Sequence, residues 1–251
     1  MIPSTSINYI KGFDGLRCIG SFIVLFFHIE RAKILFGIPS IGSYYVKIGI
    51  GQSTMTMFFV LSGFLIFYIL MNEKYKTGNV DIKLFYKKRM ARIYPVYYFV
   101  FFSVVLFLAN NNLFTSISKY IVTDDYYIVV ALYFLNLPNT HLFFQSSLLA
   151  LGHFWSVGVE IQFYIIAPWI VKKFQNIVKI LLLIIFIKVS LKLMVASVHH
   201  FLPLDKNNTA LFKDFEHFLY KLRFEAFALG GIAAIFLVEN KTKILHFLHS
   251  L

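Results

Sequence analysis

"DGLRCIGSFIVLFFHIE", Asp14 to Glu30, is apolar along almost its whole length, yet Arg17 sits near its start and His28 near its end. The two are eleven residues apart, so on a helix they return to within about 20° of one face, about 16 Å apart along the axis. Two readings stay open from this stretch alone. In one, Arg17 snorkels to the headgroups and His28 marks the far interface. In the other, both face the inside of a bundle, where an ionisable group within a span is a functional candidate.

The solvent for such a segment follows from composition. Hydrophobic residues make up 59% of the 251 and charged residues 14%, with a mean hydropathy of +0.72. Soluble domains are about 45–50% apolar and about 25% charged. The chain has too few polar side chains to cover itself in water. We therefore expect an all-α fold: a polytopic transmembrane helix bundle, read over residues 1–251 as a single integral-membrane domain. The net charge of +12 does not point to nucleic acid, because Lys and Arg fall mostly between apolar runs, as topology signals do. The single cysteine, Cys18, lies inside the first run and has no internal disulfide partner. No cleavable signal peptide is expected at the N-terminus.

Apolar spans are expected at about 15–36, 50–71, 93–110, 154–171, 177–198 and 224–238. Residues 126–137 are apolar but short for a span, and a re-entrant or interfacial segment is preferred over a crossing. The loop between the second and third spans carries Lys74, Lys76, Lys83, Lys87, Lys88 and Arg89, with Arg92 at its far end. As the densest basic loop it is expected in the cytoplasm, which places the N-terminus there too. If 126–137 does not cross, Lys172, Lys173 and Lys179 also fall inside, and residues 199–222 form an exterior loop.

Polar residues inside the apolar segments are the candidates for chemistry. "GHFWSVGVEIQFYIIAPW", Gly152 to Trp169, carries Glu160 within a span, where a carboxylate costs roughly 3 kcal/mol to insert. His153, Ser156, Glu160 and Tyr164 share one helical stripe by their spacing. A structural ion pair, with Arg17 for example, would also explain Glu160. In "KKRMARIYP", Lys87 to Pro95, Arg89 and Arg92 are three apart and share a face. Two guanidinium groups so placed can hold a phosphate bidentately, or simply anchor the chain on the cytoplasmic side. "FFVLSGFLIF", Phe58 to Phe67, and "RFEAFALGGIAA", Arg223 to Ala234, offer Ser62, Gly63, Gly230 and Gly231 for close helix approach. Arg223 and Glu225 are expected near an interface. No metal site is expected. His141, His199, His200, His217, His246 and His249 form no convincing ligand pattern. A glycine-rich phosphate loop and a serine-nucleophile elbow are not found either.

Taken in order, these segments resemble the acyltransferase 3 family of bacterial integral-membrane O-acyltransferases. "DGLRCIGSFIVLFFH" fits the family's Arg-x10-His first helix through Arg17 and His28. "FFVLSGFLI" fits its second helix, "RMARIYPVY" its Arg-x-x-Arg motif, and "HFWSVGVEIQFY" its later acidic helix. "GGIAA" fits a weaker motif further on. The matches cover most of residues 13–170. Where the family often has two adjacent acids, this chain has Glu160 and Ile161. About six to seven membrane helices of a roughly ten-helix fold are expected, so the chain reads as a member shortened at its C-terminus.

The resemblance implies transfer of an acyl group, usually acetyl from acetyl-CoA, to a hydroxyl of an envelope glycan or a lipid-linked sugar. O-antigen and exopolysaccharide are typical acceptors, and the bacterial inner membrane is the implied location. Arg89 and Arg92 would hold the coenzyme A phosphates at the cytoplasmic face, with Lys87 and Lys88 adding positive potential. His28 would be the general base, kept neutral by burial. Arg17 would hold the donor or stabilise developing negative charge, and Glu160 would orient His28 or pair with Arg17. Direct transfer and transfer through an acyl-histidine both fit. Two other classes compete: a small-solute transporter or flippase lined by Arg17, His28 and Glu160, and a catalytically inactive membrane remnant.

Overall fold

The computed structural model describes residues 12–35, 37–42, 49–110, 154–201 and 206–240, and every regular element among them is an α-helix. The helices are α1 (Phe13–Leu35), α2 (Ile50–Thr77), α3 (Ile82–Asn110), α4 (Phe154–Lys173), α5 (Ile177–Phe201), α6 (Lys206–Lys221) and α7 (Phe224–Glu239). Three of them, α2, α4 and α5 (through Val198), are long and apolar enough to cross a membrane, which marks a membrane protein. The segment 126–137 lies outside the described residues, as do His141, His153, His246 and His249.

The helix ends follow local rules. α1 opens with Asp14 in its first turn and closes with Lys33 in its last, both favourable to the helix dipole. It stops at Gly37, whose φ of +68° suits a residue without Cβ. There the Ile38 amide donates to the Lys33 carbonyl at 2.9 Å and the Gly37 amide to the Ile34 carbonyl at 3.2 Å. These are the paired bonds of a Schellman stop. α3 is capped by Asp81, whose Oδ1 accepts the Leu84 amide at 3.0 Å.

The chain divides into two compact units, one holding α1, α2 and α7 and the other α3 to α6. In the first, α2 and α7 cross at two glycines. A Cβ on Gly63 would lie 2.1 Å from the Phe227 carbonyl oxygen, and one on Gly230 would lie 2.0 Å from that of Val60. Backbones this close are reached only where both contact residues lack side chains. Around the crossing, Phe59 lies 4.9 Å from Phe227, ring to ring, and Ile66, Phe67 and Leu70 are fully buried. The expected role of Gly63 and Gly230 in close approach is therefore what is seen, with Ser62 and Gly231 buried next to them in sequence.

In the second unit, α3 and α4 run antiparallel. Tyr97 stacks on Phe154 at 4.4 Å between centroids, the Tyr86 hydroxyl donates to the Ile165 carbonyl at 2.7 Å, and Lys172 donates to the Val80 carbonyl at 3.3 Å. α3 begins about three turns before the expected span at 93, because Lys83, Lys87, Lys88 and Arg92 project outward without breaking the helix. The expected exterior loop at 199–222 is corrected: most of it is α6. Its apolar residues recur at helical spacing, with Leu219 buried while Lys213, Glu216 and His217 are exposed. That pattern lacks a continuous apolar run, so a search for spans passes over it.

Gly63→Ala and Gly230→Ala should each destabilise the first unit by about 1–3 kcal/mol, the range for overpacking a close contact. Gly15→Ala, on an exposed stretch of α1 with nothing within 4 Å of the added methyl, should be neutral or mildly stabilising. Thermal unfolding in detergent, followed by circular dichroism, would show the three variants side by side. Equal melting temperatures would refute the tight crossing.

Candidate active site

The first unit carries Arg17 and His28 on α1. Arg17 is half-buried, and its carbonyl accepts the Ser21 hydroxyl at 2.8 Å. His28 is exposed on the helix, its ring edge-on to Phe27 at 5.9 Å. The expected burial of His28 is thus not seen, because α1 presents a wide face on which Ile19, Phe22, Leu25 and Ile29 are exposed too. An open apolar pocket of about 330 Å³ lies beside this face, lined by Phe22, Ile23, Phe26, Phe27 and Ile50.

Two residues beyond His28, Glu30 is buried at 4% exposure. Its Oε2 accepts the Ser40 hydroxyl at 2.8 Å and the Ile41 amide at 2.9 Å, and its Oε1 pairs with Lys33 at 2.7 Å. A carboxylate accepting this many donors fastens the turn after α1 back onto the helix. Nothing in the spacing of "HIERAK" signals it, since its partners at 40 and 41 are brought round only by the Gly37 stop.

The second unit carries Arg89, Arg92, Lys88 and Glu160. The antiparallel register sets α3 residues 89–92 opposite α4 residues around 160, so the cations and the carboxylate share one depth. The two arginines part company there. Arg89 turns inward and is 9% exposed, while Arg92, Lys87 and Lys88 are exposed. Arg89 also lies seven residues inside α3, roughly 10 Å from its start, not in a loop.

Arg89 and Glu160 are linked through one side chain, Tyr164. The guanidinium carbon of Arg89 lies 5.7 Å from the centroids of both Phe85 and Tyr164, within cation–π range. The Tyr164 hydroxyl donates to a Glu160 oxygen. One buried ring thus supports a cation on its face and orients a carboxylate through its edge. Of the expected stripe, Glu160 and Tyr164 are brought together, and Ser156 lies half-buried one turn before Glu160. Among the described residues, no three of His, Cys, Asp and Glu come together as a metal site.

A guanidinium and a carboxylate at one depth of the second unit, and an arginine and a histidine on one face of α1, bring together the residues that carry the resemblance to one family. A family model described as "Acyltransferase domain" matches residues 10–251. The chain belongs to this acyltransferase family. It is similar to O-acetyltransferase OatA of Staphylococcus aureus strains NCTC 8325 and COL. Each is 26% identical over 235 residues, 90% of this chain and 34% of the relative. The chain thus spans about a third of the length of the curated relatives it matches. No solved structure matches it.

Sequence reasoning passed over two buried charges. Glu30 is one; the other is Lys188, 5% exposed in the middle of α5. "IIFIKVSLKL" looks like a plain span, but the rule that singled out Glu160 applies equally to a lysine there.

Tyr164→Phe keeps the ring beneath Arg89 and removes only the donor to Glu160. Its acyl-transfer turnover should fall about tenfold, the worth of one hydrogen bond to a charged group. The donor KM should stay within about twofold in that comparison. Steady-state thiol release would decide it, and a parental rate would leave Tyr164 a packing residue.

Proposed function

We propose that this chain is an integral-membrane O-acyltransferase that moves an acetyl group from acetyl-CoA to a hydroxyl of a cell-envelope carbohydrate in the bacterial cytoplasmic membrane. The observation that carries the reading is the family match over nearly the whole chain. The relatives' names add transfer of acetyl to oxygen. An envelope glycan or lipid-linked sugar is the acceptor that suits an enzyme lodged in a membrane.

In this reading His28 is the general base. A neutral imidazole takes the proton of the acceptor hydroxyl as its oxygen attacks the thioester carbonyl. The carbon–sulfur bond then breaks, the new carbon–oxygen bond stays with the sugar, and the coenzyme A sulfur leaves with the proton returned by His28. His28 is exposed on α1. Arg17, on the same face, holds the donor or stabilises the negative charge that develops on the carbonyl oxygen.

The donor phosphates are held by the basic stretch of α3. Arg92 and Lys88 are four residues apart on the exposed side and can reach an anion directly. Arg89, between two rings, contributes a fixed positive charge at the same depth. Glu160, oriented by Tyr164, completes the polar interior of this unit. The basic residues from Lys74 to Arg92, at the end of α2 and in the first turns of α3, support a cytoplasmic N-terminus and donor side.

His28→Ala should lower transfer by about 100-fold or more while the protein still inserts. Mass spectrometry of envelope polysaccharide from cells expressing the chain, its His28→Ala variant or an empty vector would test this. An acetyl increment confined to the unaltered chain is expected. The same increment with His28→Ala at equal membrane abundance would remove His28 from the mechanism. In the companion assay, Arg92→Ala should raise the KM for acetyl-CoA by about tenfold with kcat little changed, as loss of a phosphate contact does.

A further inference from the structure

α5 is the most apolar helix of the second unit, and Lys188 sits at its centre, eleven residues from Ile177 and ten from Val198. Its ammonium is buried and donates to the main-chain carbonyl of Leu219. The partner explains the position. α6 ends at Lys221, so the carbonyls of its last turn have no intrahelical donor. The Leu222 amide takes the Phe218 carbonyl at 3.0 Å, and Lys188 takes the next one. A cation at a helix C-terminus also meets the negative end of the helix dipole.

That fastened end of α6 lies over the site helix. The Lys221 ammonium is 5.6 Å from the centroid of the Trp155 ring on α4. The Phe224 ring, just past α6, is 5.8 Å from Phe163 on α4. Trp155 and Phe163 bracket Ser156 and Glu160. The polar stretch of α4 is therefore gripped from two sides. α3 holds it through Tyr97 on Phe154 and Arg89 over Tyr164, and the end of α6 holds it through Lys221 and Phe224.

We propose that Lys188 is a positioning residue for acyl transfer: by tying the Leu219 carbonyl to α5, it holds the end of α6 against Trp155 and fixes where α4 presents Glu160. Its effect on the site passes through the Leu219 main chain. The assignment rests on the reading of Glu160 as part of the site.

The test uses the full chain in lipid nanodiscs with Trp169→Phe as parent, which leaves Trp155 as the single tryptophan. Acrylamide quenching of Trp155 reports whether α6 covers it. Thiol release from acetyl-CoA, with bacterial envelope polysaccharide added as acceptor, reports turnover. Lys188→Met should raise Trp155 quenching about twofold and lower kcat about tenfold, with the KM for acetyl-CoA within about twofold of the parent. Lys188→Arg, which keeps the donor, should restore both. Lys221→Met removes the ammonium from Trp155 without touching Lys188 and should shift quenching and kcat the same way. It carries the test should Lys188→Met fail to insert.

Unchanged quenching in Lys188→Met and Lys221→Met would overturn the proposal. So would a shift in quenching with kcat unaltered, because α6 would then cover Trp155 without positioning the site. Quenching needs no turnover. A parent inactive with acetyl-CoA, or a Glu160→Gln variant at the parental rate, would sink the reading of the site while quenching still judged the tie.

Discussion

A guanidinium drawn into an apolar helix pair loses its water, and Arg89 regains stabilisation from the faces of Phe85 and Tyr164. The second unit is arranged around that demand. Tyr164 can lie beneath Arg89 only if α3 and α4 keep one antiparallel register. The bonds from Tyr86 to Ile165 and from Lys172 to Val80 hold that register on the same helix pair. With the register set, Tyr164 is also committed to Glu160, one turn away on its own helix. A cation and a carboxylate come to one depth because a single ring serves both. Pro168 fits the same picture: it withdraws an amide from α4 near the point where Tyr86 reaches in to a carbonyl and Trp169 donates to Tyr86 at 3.0 Å.

The first unit meets a different constraint. Its two glycine contacts bring main chain against main chain, so α2 and α7 gain their contact from packing more than from polar bonds. A crossing of that kind tolerates little change in side-chain size and leaves α1 free to present a broad apolar face. Glu30 accounts for the polar end of α1. With water excluded, its carboxylate draws in donors from Ser40 and Ile41, and the returning chain is thereby fixed to the helix that carries His28.

Much of this was legible in the sequence, and the reasons are specific. Long apolar runs named α1, α4, α5 and α7 within a few residues of their ends, and α2 at its start though not at its end, six residues beyond the expected 71, because about twenty apolar residues have few other uses. Ser62-Gly63 and Gly230-Gly231 pointed to close approach, because small side chains inside apolar helices have one evident advantage. α6 was not legible as a span, since its signal is a period and not a run. The division of Arg89 from Arg92 was also hidden. Spacing places two side chains on adjacent lines of a helix, but which line meets the neighbouring helix depends on a partner some seventy residues away. For the same reason Glu160 stood out as a candidate while its partner Tyr164 appeared only as a neighbour on a stripe.

The parting of the two arginines bears on how a basic motif serves an anionic substrate. A pair turned the same way would act as one bidentate clamp and would bring two like charges together in the empty site, at an electrostatic cost. With Arg89 turned in and Arg92 turned out, the work separates. Arg92 and Lys88 are exposed and can exchange water for phosphate with little desolvation. Arg89 is already desolvated and already held, so its charge is present before any ligand arrives and needs no rearrangement to act. In the proposed function, a fixed inner charge behind an adaptable outer pair would attract the anionic donor while leaving the carboxylate oriented by Tyr164. Reversing the two side chains would place the mobile charge inside, where ordering it would cost side-chain entropy at each binding event.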